Sequence, residues 1–213
     1  MTLIVSAKFK AGVAIQADGR MTKPSGEIIS DTCQKIFPIA GSRMAISHSG
    51  IREFKGRSLA DALREISFAN AKTKRAVADL IASHFNPIVV GNWCCCPTCS
   101  KNRDNCCFLV HGFDETGSMD PLSLNWDYLA TQPEITSKSD WGWSHGSGHV
   151  RVEWPNPPIN PTISEIVKLV DSVHSSTTAQ NQDSKCGGHI HSLAIARYCY
   201  WTKPTAGEPL QLE

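Results

Sequence analysis

The feature that most constrains this chain lies in its first seventeen residues. Leu3 to Phe9 and Val13 to Ala17 are apolar or alternating runs, separated by Lys10-Ala11-Gly12. This pattern predicts a β-hairpin with Gly12 in the turn, and the hairpin begins directly after Thr2. A polar stretch from Asp18 to Gly26 follows. Ile28-Ile29, Lys35 to Ile39 and, past a turn at Gly41-Ser42, Met44 to Ser47 return to strand character. The first fifty residues therefore read as two hairpins.

The period then changes. Ser58 fits a helix cap with Asp61 in the first turn, and Leu59, Ala62, Leu63 and Ile66 recur at helical spacing. A second helix is predicted through Val77, Leu80, Ile81 and Phe85, ending at Asn86-Pro87. Phe108 to Val110, Leu122 to Trp126 and Val150 to Trp154 read as strands, with little pattern between Thr116 and Trp143. Thr162-Ile163-Ser164-Glu165 has capping-box spacing and opens a helix to about Thr178. A last strand is predicted from Ile190 to about Tyr200. Strands, two helices, strands, a helix and a strand suggest an α+β fold, with sheets in the middle and helices outside.

The 213 residues, 41% of them hydrophobic, suit one domain spanning 1–213. The net charge of +1 gives no electrostatic argument for nucleic acid or an anionic membrane. No apolar run approaches the ~20 residues of a membrane helix. The first residues lack signal-peptide character. The expectation is a soluble, cytoplasmic protein with neither a nucleic-acid nor a membrane partner.

Thr2 is the chemically notable residue. Methionine aminopeptidases generally remove Met1 before a small residue, leaving a free α-amine beside a β-hydroxyl. An α-amine with a pKa near ~8 can take up the hydroxyl proton, so one residue serves as nucleophile and base. Taken alone, Thr2 is an ordinary second residue.

Its surroundings change that reading. Thr2 to Arg20, with Asp18 and Arg20 as an Asp-x-Arg element, resembles the opening of proteasome β subunits and the related bacterial two-ring protease. The resemblance continues through Ser30 to Ile39, where the family's catalytic lysine maps to Lys35, allowing one inserted residue. It continues again through Met44 to Gly50, where Ser49-Gly50 matches the oxyanion turn. Gly146-Ser147-Gly148 resembles the family's Gly-Ser-Gly element. Asp183-Ser184-Lys185-Cys186-Gly187-Gly188 resembles its Asp-x-x-Ser-Gly-Gly element, with Cys186 in place of the serine.

This resemblance implies a four-layer αββα sandwich of the N-terminal-nucleophile (Ntn) class. It implies a threonine-type peptidase that cleaves peptides or unfolded proteins through a Thr2 acyl-enzyme. The catalytic set is Thr2, Asp18, Lys35, Ser147 and Asp183, supported by Arg20, Ser49, Gly50, Cys186 and Gly187. It further implies a homo-oligomeric ring, but fixes neither ring size nor an ATPase partner, and catalysis requires no cofactor. The alternatives are a small-molecule amidase or peptide ligase on the same fold, a catalytically silent structural subunit, and a zinc-binding interaction module.

The last alternative comes from cysteine clustering. Of nine cysteines, six lie in a Cys-rich insertion at about 92–107. Thiolates of Cys94, Cys96 and Cys99, with Cys106 or Cys107, can supply four ligands for a structural zinc, and His111 is a spare candidate. Free thiols and redox or disulfide chemistry are the competing readings. His189 and His191 share a strand face, and His145 and His149 flank Ser147. For His189 and His191 a metal pair competes with the ordinary reading of partly exposed strand positions, His145 and His149 are placed to approach the cleft, and core or interface packing is the ordinary reading for Trp141, Trp143 and Trp154.

Overall fold

The computed structural model describes residues 2–22, 27–50, 53–54, 57–91, 106–127, 130–146, 152–180, 186–203 and 209–213. In chain order the elements are β1 (Leu3–Phe9), β2 (Gly12–Asp18), β3 (Met21–Thr22), β4 (Ile28–Ser30), β5 (Ile36–Pro38) and β6 (Arg43–Ser49). β7 (Glu53–Phe54), β8 (Arg57–Ser58), α1 (Leu59–Arg64), α2 (Lys74–Val90), β9 (Cys106–Phe113), β10 (Leu122–Trp126) and β11 (Glu134–Ser137) follow. β12 (Gly142–Gly146), α3 (Ile163–Gln180), β13 (Ile190–Ile195) and β14 (Cys199–Trp201) complete the set.

Two five-stranded sheets dominate, in the orders β12-β1-β2-β13-β14 and β11-β10-β9-β6-β5. All pairings within them are antiparallel. The strand alternation distributes β1 between two clusters. Leu3, Val5 and Ala7 pack with Ile166, Val170 and Val173 of α3. Ile4 packs with Val13, Ile15 and Ala17 of its own sheet and with Ile36 and Ala45 of the other. A strand covered on both faces is apolar at consecutive positions, which is why Leu3-Ile4-Val5 shows no alternation. The second sheet turns Met44, Ile46, Phe108, Val110 and Trp126 toward Val77, Ile81 and Phe85 of α2. Each of these fully buried side chains contributes about 1.5–3 kcal/mol by leaving water.

Several local expectations hold. Ser58 caps α1, its hydroxyl accepting from Asp61 N at 3.1 Å. The box at α3 is reciprocal: Glu165 N donates to Thr162 Oγ1 at 3.3 Å and Thr162 N donates to Glu165 Oε2 at 2.7 Å. β10 has the predicted bounds. Trp141 stacks edge-on against Trp154, with centroids 5.0 Å apart.

Others are corrected. α2 runs through Pro87 to Val90. Asn86 Oδ1 accepts from Trp126 Nε1 at 3.1 Å, anchoring this turn of the helix to β10. The final strand is a hairpin, β13 and β14, turning where Ala196 N donates to Tyr198 O. Residues 152–154 belong to no strand. The stretch from 116 to 143, weakly patterned in sequence, supplies β11 and part of β12 as well as β10. Cys106 and Cys107 open β9 and so belong to the second sheet, not to an irregular insertion.

Candidate functional site

The site forms where the first hairpin closes. The register pairs Ile4 with Ala17, which brings Leu3 beside Asp18 at the last position of β2. Leu3 N donates to Asp18 Oδ1 at 2.8 Å. Lys35 Nζ donates to the same oxygen at 2.6 Å and to Arg20 O at 2.9 Å. Gly187 N donates to the second oxygen, Oδ2, at 3.0 Å. The side chains of Asp18 and Lys35 are fully buried, and Thr2 is 5% exposed. A buried ion pair persists only when its remaining hydrogen-bonding capacity is met. Here the carboxylate has three donors from three chain segments, and the ammonium has a carbonyl besides the carboxylate.

The shared oxygen ties the residue after Thr2 to Lys35. It accepts from the amide next to Thr2 and from the Lys35 ammonium, so the start of β1 and the lysine head converge on one atom. Lys35 is held from behind as well, because His48 N of β6 donates to Lys35 O at 3.0 Å. Ile36 pairs with Ser47, so Ser49 and Gly50 lie at the end of β6 that flanks Lys35. Ser49 is buried, and its Oγ has no hydrogen-bond partner among the described residues. Gly50 has φ +96°, a left-handed conformation that a glycine adopts without strain.

Arg20 knits the surrounding loops together. Its Nε donates to Asp31 Oδ1 at 2.7 Å, and its backbone N donates to Gly187 O at 2.9 Å. His189 N donates to Asp31 O at 2.6 Å. At Gly188, with φ +75°, a Cβ would lie 2.5 Å from Asp31 O. The Gly187-Gly188 pair is therefore required by backbone conformation and close approach. Cys186, in the position matched to a serine, is 4% exposed. Burial, then the Asp18 carboxylate, pushes its thiol up to about 11, so it stays protonated.

Of the sequence-derived set, Thr2, Asp18, Arg20, Lys35, Cys186 and Gly187 come together, with Ser49 and Gly50 on the flanking strand. Ser147 and Asp183 lie outside the described residues, as do Cys94, Cys96 and Cys99. Cys106 and Cys107 are adjacent strand residues and face opposite sides of the sheet, so they cannot share an ion. Cys106 Sγ lies 3.6 Å from His48 Nε2, and Cys107 Sγ lies 3.8 Å from Ser123 Oγ. His111 is engaged elsewhere, its Nε2 2.8 Å from Ser47 Oγ. No group of three or more metal-binding side chains occurs among the described residues. His189 and His191 stack at 5.0 Å in a T-shaped arrangement.

One site neighbour was not singled out in the sequence. His174 of α3 is 1% exposed, and burial pushes its imidazole down to about 4 while Asp18 pulls the other way. Its Nε2 has no hydrogen-bond partner among the described residues. The helical stripe of Ile166, Val170, Val173 and Thr177 would have placed it on the buried face, close to the sheet that carries Asp18.

Neither protein-family models nor curated proteins match the chain. Solved structures do. Anbu (ancestral beta-subunit) from Yersinia bercovieri aligns with a TM-score of 0.64 and 11% identity, over 93% of this chain and 86% of that one. An Anbu mutant from Hyphomicrobium sp. strain MC1 aligns with a TM-score of 0.61 and 14% identity, over 98% and 89%. At such identities the likeness shows the fold alone, which is that of these Anbu structures. The resemblance to proteasome β subunits and the bacterial two-ring protease is corrected accordingly. The similar structures belong to the ancestral β-subunit group, which is related to those proteins but distinct, and no sequence-level match ties the chain to them. No helix among the described residues is long and apolar enough to cross a membrane.

Proposed function

We propose that this chain is a threonine-nucleophile amidohydrolase of the Ntn class, acting on peptide bonds. The observation that carries the reading is the buried carboxylate of Asp18, whose Oδ1 accepts both from the amide after Thr2 and from Lys35 Nζ. In this reading all 213 residues form one domain, a four-layer αββα sandwich. The layering is supported by the α3 cluster on one sheet, the α2 cluster on the other and the mixed cluster between them.

The chemistry follows from the charges. With Met1 removed, the Lys35 ammonium lowers the pKa of the Thr2 amine and hydroxyl, and Asp18 keeps that ammonium in place. The amine takes the hydroxyl proton as Oγ attacks the substrate carbonyl. The oxyanion is met by a backbone N–H of the Ser49-Gly50 turn. Collapse breaks the C–N bond, returns the proton to the leaving amine and leaves an ester on Thr2. Water, deprotonated by the same α-amine, then hydrolyses the ester. Ser147 and Asp183 complete the set by bonding near the amine. The Cys186 thiol is a weaker donor than the hydroxyl it replaces.

No step requires a cofactor. A structural zinc on Cys94, Cys96 and Cys99 would take Cys106 or Cys107 as its fourth ligand, but not both. The partners in this reading are a peptide or unfolded-protein substrate and further copies of the chain in a ring. The location is the cytoplasm.

Intact mass before and after treatment with an epoxyketone, which needs both a threonine hydroxyl and its free α-amine, tests the nucleophile. Loss of Met1 and a single adduct on Thr2, absent in Lys35→Ala, are expected. A free Thr2 that never reacts would remove the proposal. A panel of peptides against small amides then separates peptidase from amidase.

A further inference from the structure

The outer flank of β5 is occupied by a segment from far downstream. Leu212 N donates to Pro38 O at 2.9 Å, and Ala40 N donates to Leu212 O at 2.7 Å. This makes a parallel bridge between Ile39 and Leu212. Leu212 is 1% exposed and joins the cluster under α2. Phe68 N donates to Glu213 O at 2.7 Å, securing the segment from the side of α1.

The side chain of Gln34 grips this same segment. Leu210 N donates to Gln34 Oε1 at 2.8 Å. Gln34 Nε2 donates to Leu210 O at 2.8 Å and to Ile36 O at 2.7 Å. One amide group thus engages three backbone groups, the N–H and C=O of Leu210 on the downstream segment and the C=O of Ile36 immediately after Lys35. The backbone of Lys35 is held between this clamp and the His48 N–H of β6.

A lysine head on a flexible four-carbon stem keeps one geometry only if its backbone origin is fixed. We propose that Gln34 is a positioning residue. It docks the Lys35 backbone onto residues 210–213 and so sets where Lys35 Nζ meets Asp18 and the start of β1. The role rests on the nucleophile reading above, because it matters to catalysis only if Lys35 tunes Thr2. Gln34 itself touches no reacting atom.

The test is the exchange of the Lys35 ammonium protons with water, followed by nitrogen-15 lysine NMR and assigned with Lys35→Arg. Gln34→Ala removes the clamp. Gln34→Met fills a similar volume without hydrogen bonds and serves if the alanine variant does not fold. Exchange is expected to quicken about ten-fold, reflecting the lost hydrogen bonds. The acid limb of epoxyketone reactivity should move to higher pH, because a looser ammonium lowers the amine pKa less. Parental exchange in a folded Gln34 variant would overturn the proposal. Failure of the unsubstituted protein to react with the epoxyketone would overturn the Thr2 reading instead, and the exchange rate would still decide whether Gln34 positions Lys35.

Discussion

A carboxylate cut off from water persists only where other donors replace its hydration. Asp18 has such donors in Leu3 N, Lys35 Nζ and Gly187 N. Two buried histidines, His174 beside the site and His111 on β9, obey the complementary rule and stay neutral. Burial pushes His174 down to about 4 and His111 down to about 3, from an ordinary 6.5. The unfolded chain therefore binds more protons than the folded one below about pH 6.5, and stability falls as pH is lowered toward those folded values. The slope should be roughly 1 kcal/mol per pH unit for each histidine. Urea unfolding between pH 7.5 and 4.5 measures it, and His174→Gln should flatten it by about half. An unchanged slope in that variant would mean His174 is not held neutral. Asp18 and Lys35 were legible as candidate site residues because they stand in a family-like order after Thr2. Their burial was not, since a single charged residue reads in sequence as a surface group. His174 escaped notice because one histidine on an apolar stripe looks like packing.

Elements with strong local signals were legible, and those shaped by distant partners were not. The first hairpin is written in two apolar runs about the Gly12 turn, and α3 has its start written in Thr162 and Glu165. Replacing Thr162 with Ala should cost about 0.5–2 kcal/mol through loss of the cap. Denaturant midpoints at fixed pH would show it, and an unshifted midpoint would mean the box contributes nothing. α2 outruns its proline because a tertiary contact, Asn86 to Trp126, anchors that turn. β11 and β12 were missed because their identity depends on the strands they join. The addition of residues 210–213 beside β5 carried no periodic signal, being held by backbone bonds and by the side chain of Gln34.

At the scale of the molecule, the packed clusters leave some apolar side chains uncovered among the described residues. Ile28 and Ile29 of β4 are 48% and 52% exposed, side by side in sequence. Exposed apolar side chains such as these are available to a second copy, which the proposed ring would supply. Light scattering should give a mass several times that of one chain, and Ile28→Ser with Ile29→Ser should lower it. A monomer in the unsubstituted protein would remove the ring from the reading.

The pairing of Ile39 with Leu212 also has a consequence in time. A ribosome releases β5 and β6 long before residue 212 is made. Throughout that interval the outer edge of β5 offers unpaired N–H and C=O groups to any extended chain nearby. The nascent protein thus carries this edge without the segment that finally pairs with it, and misassembly can begin there.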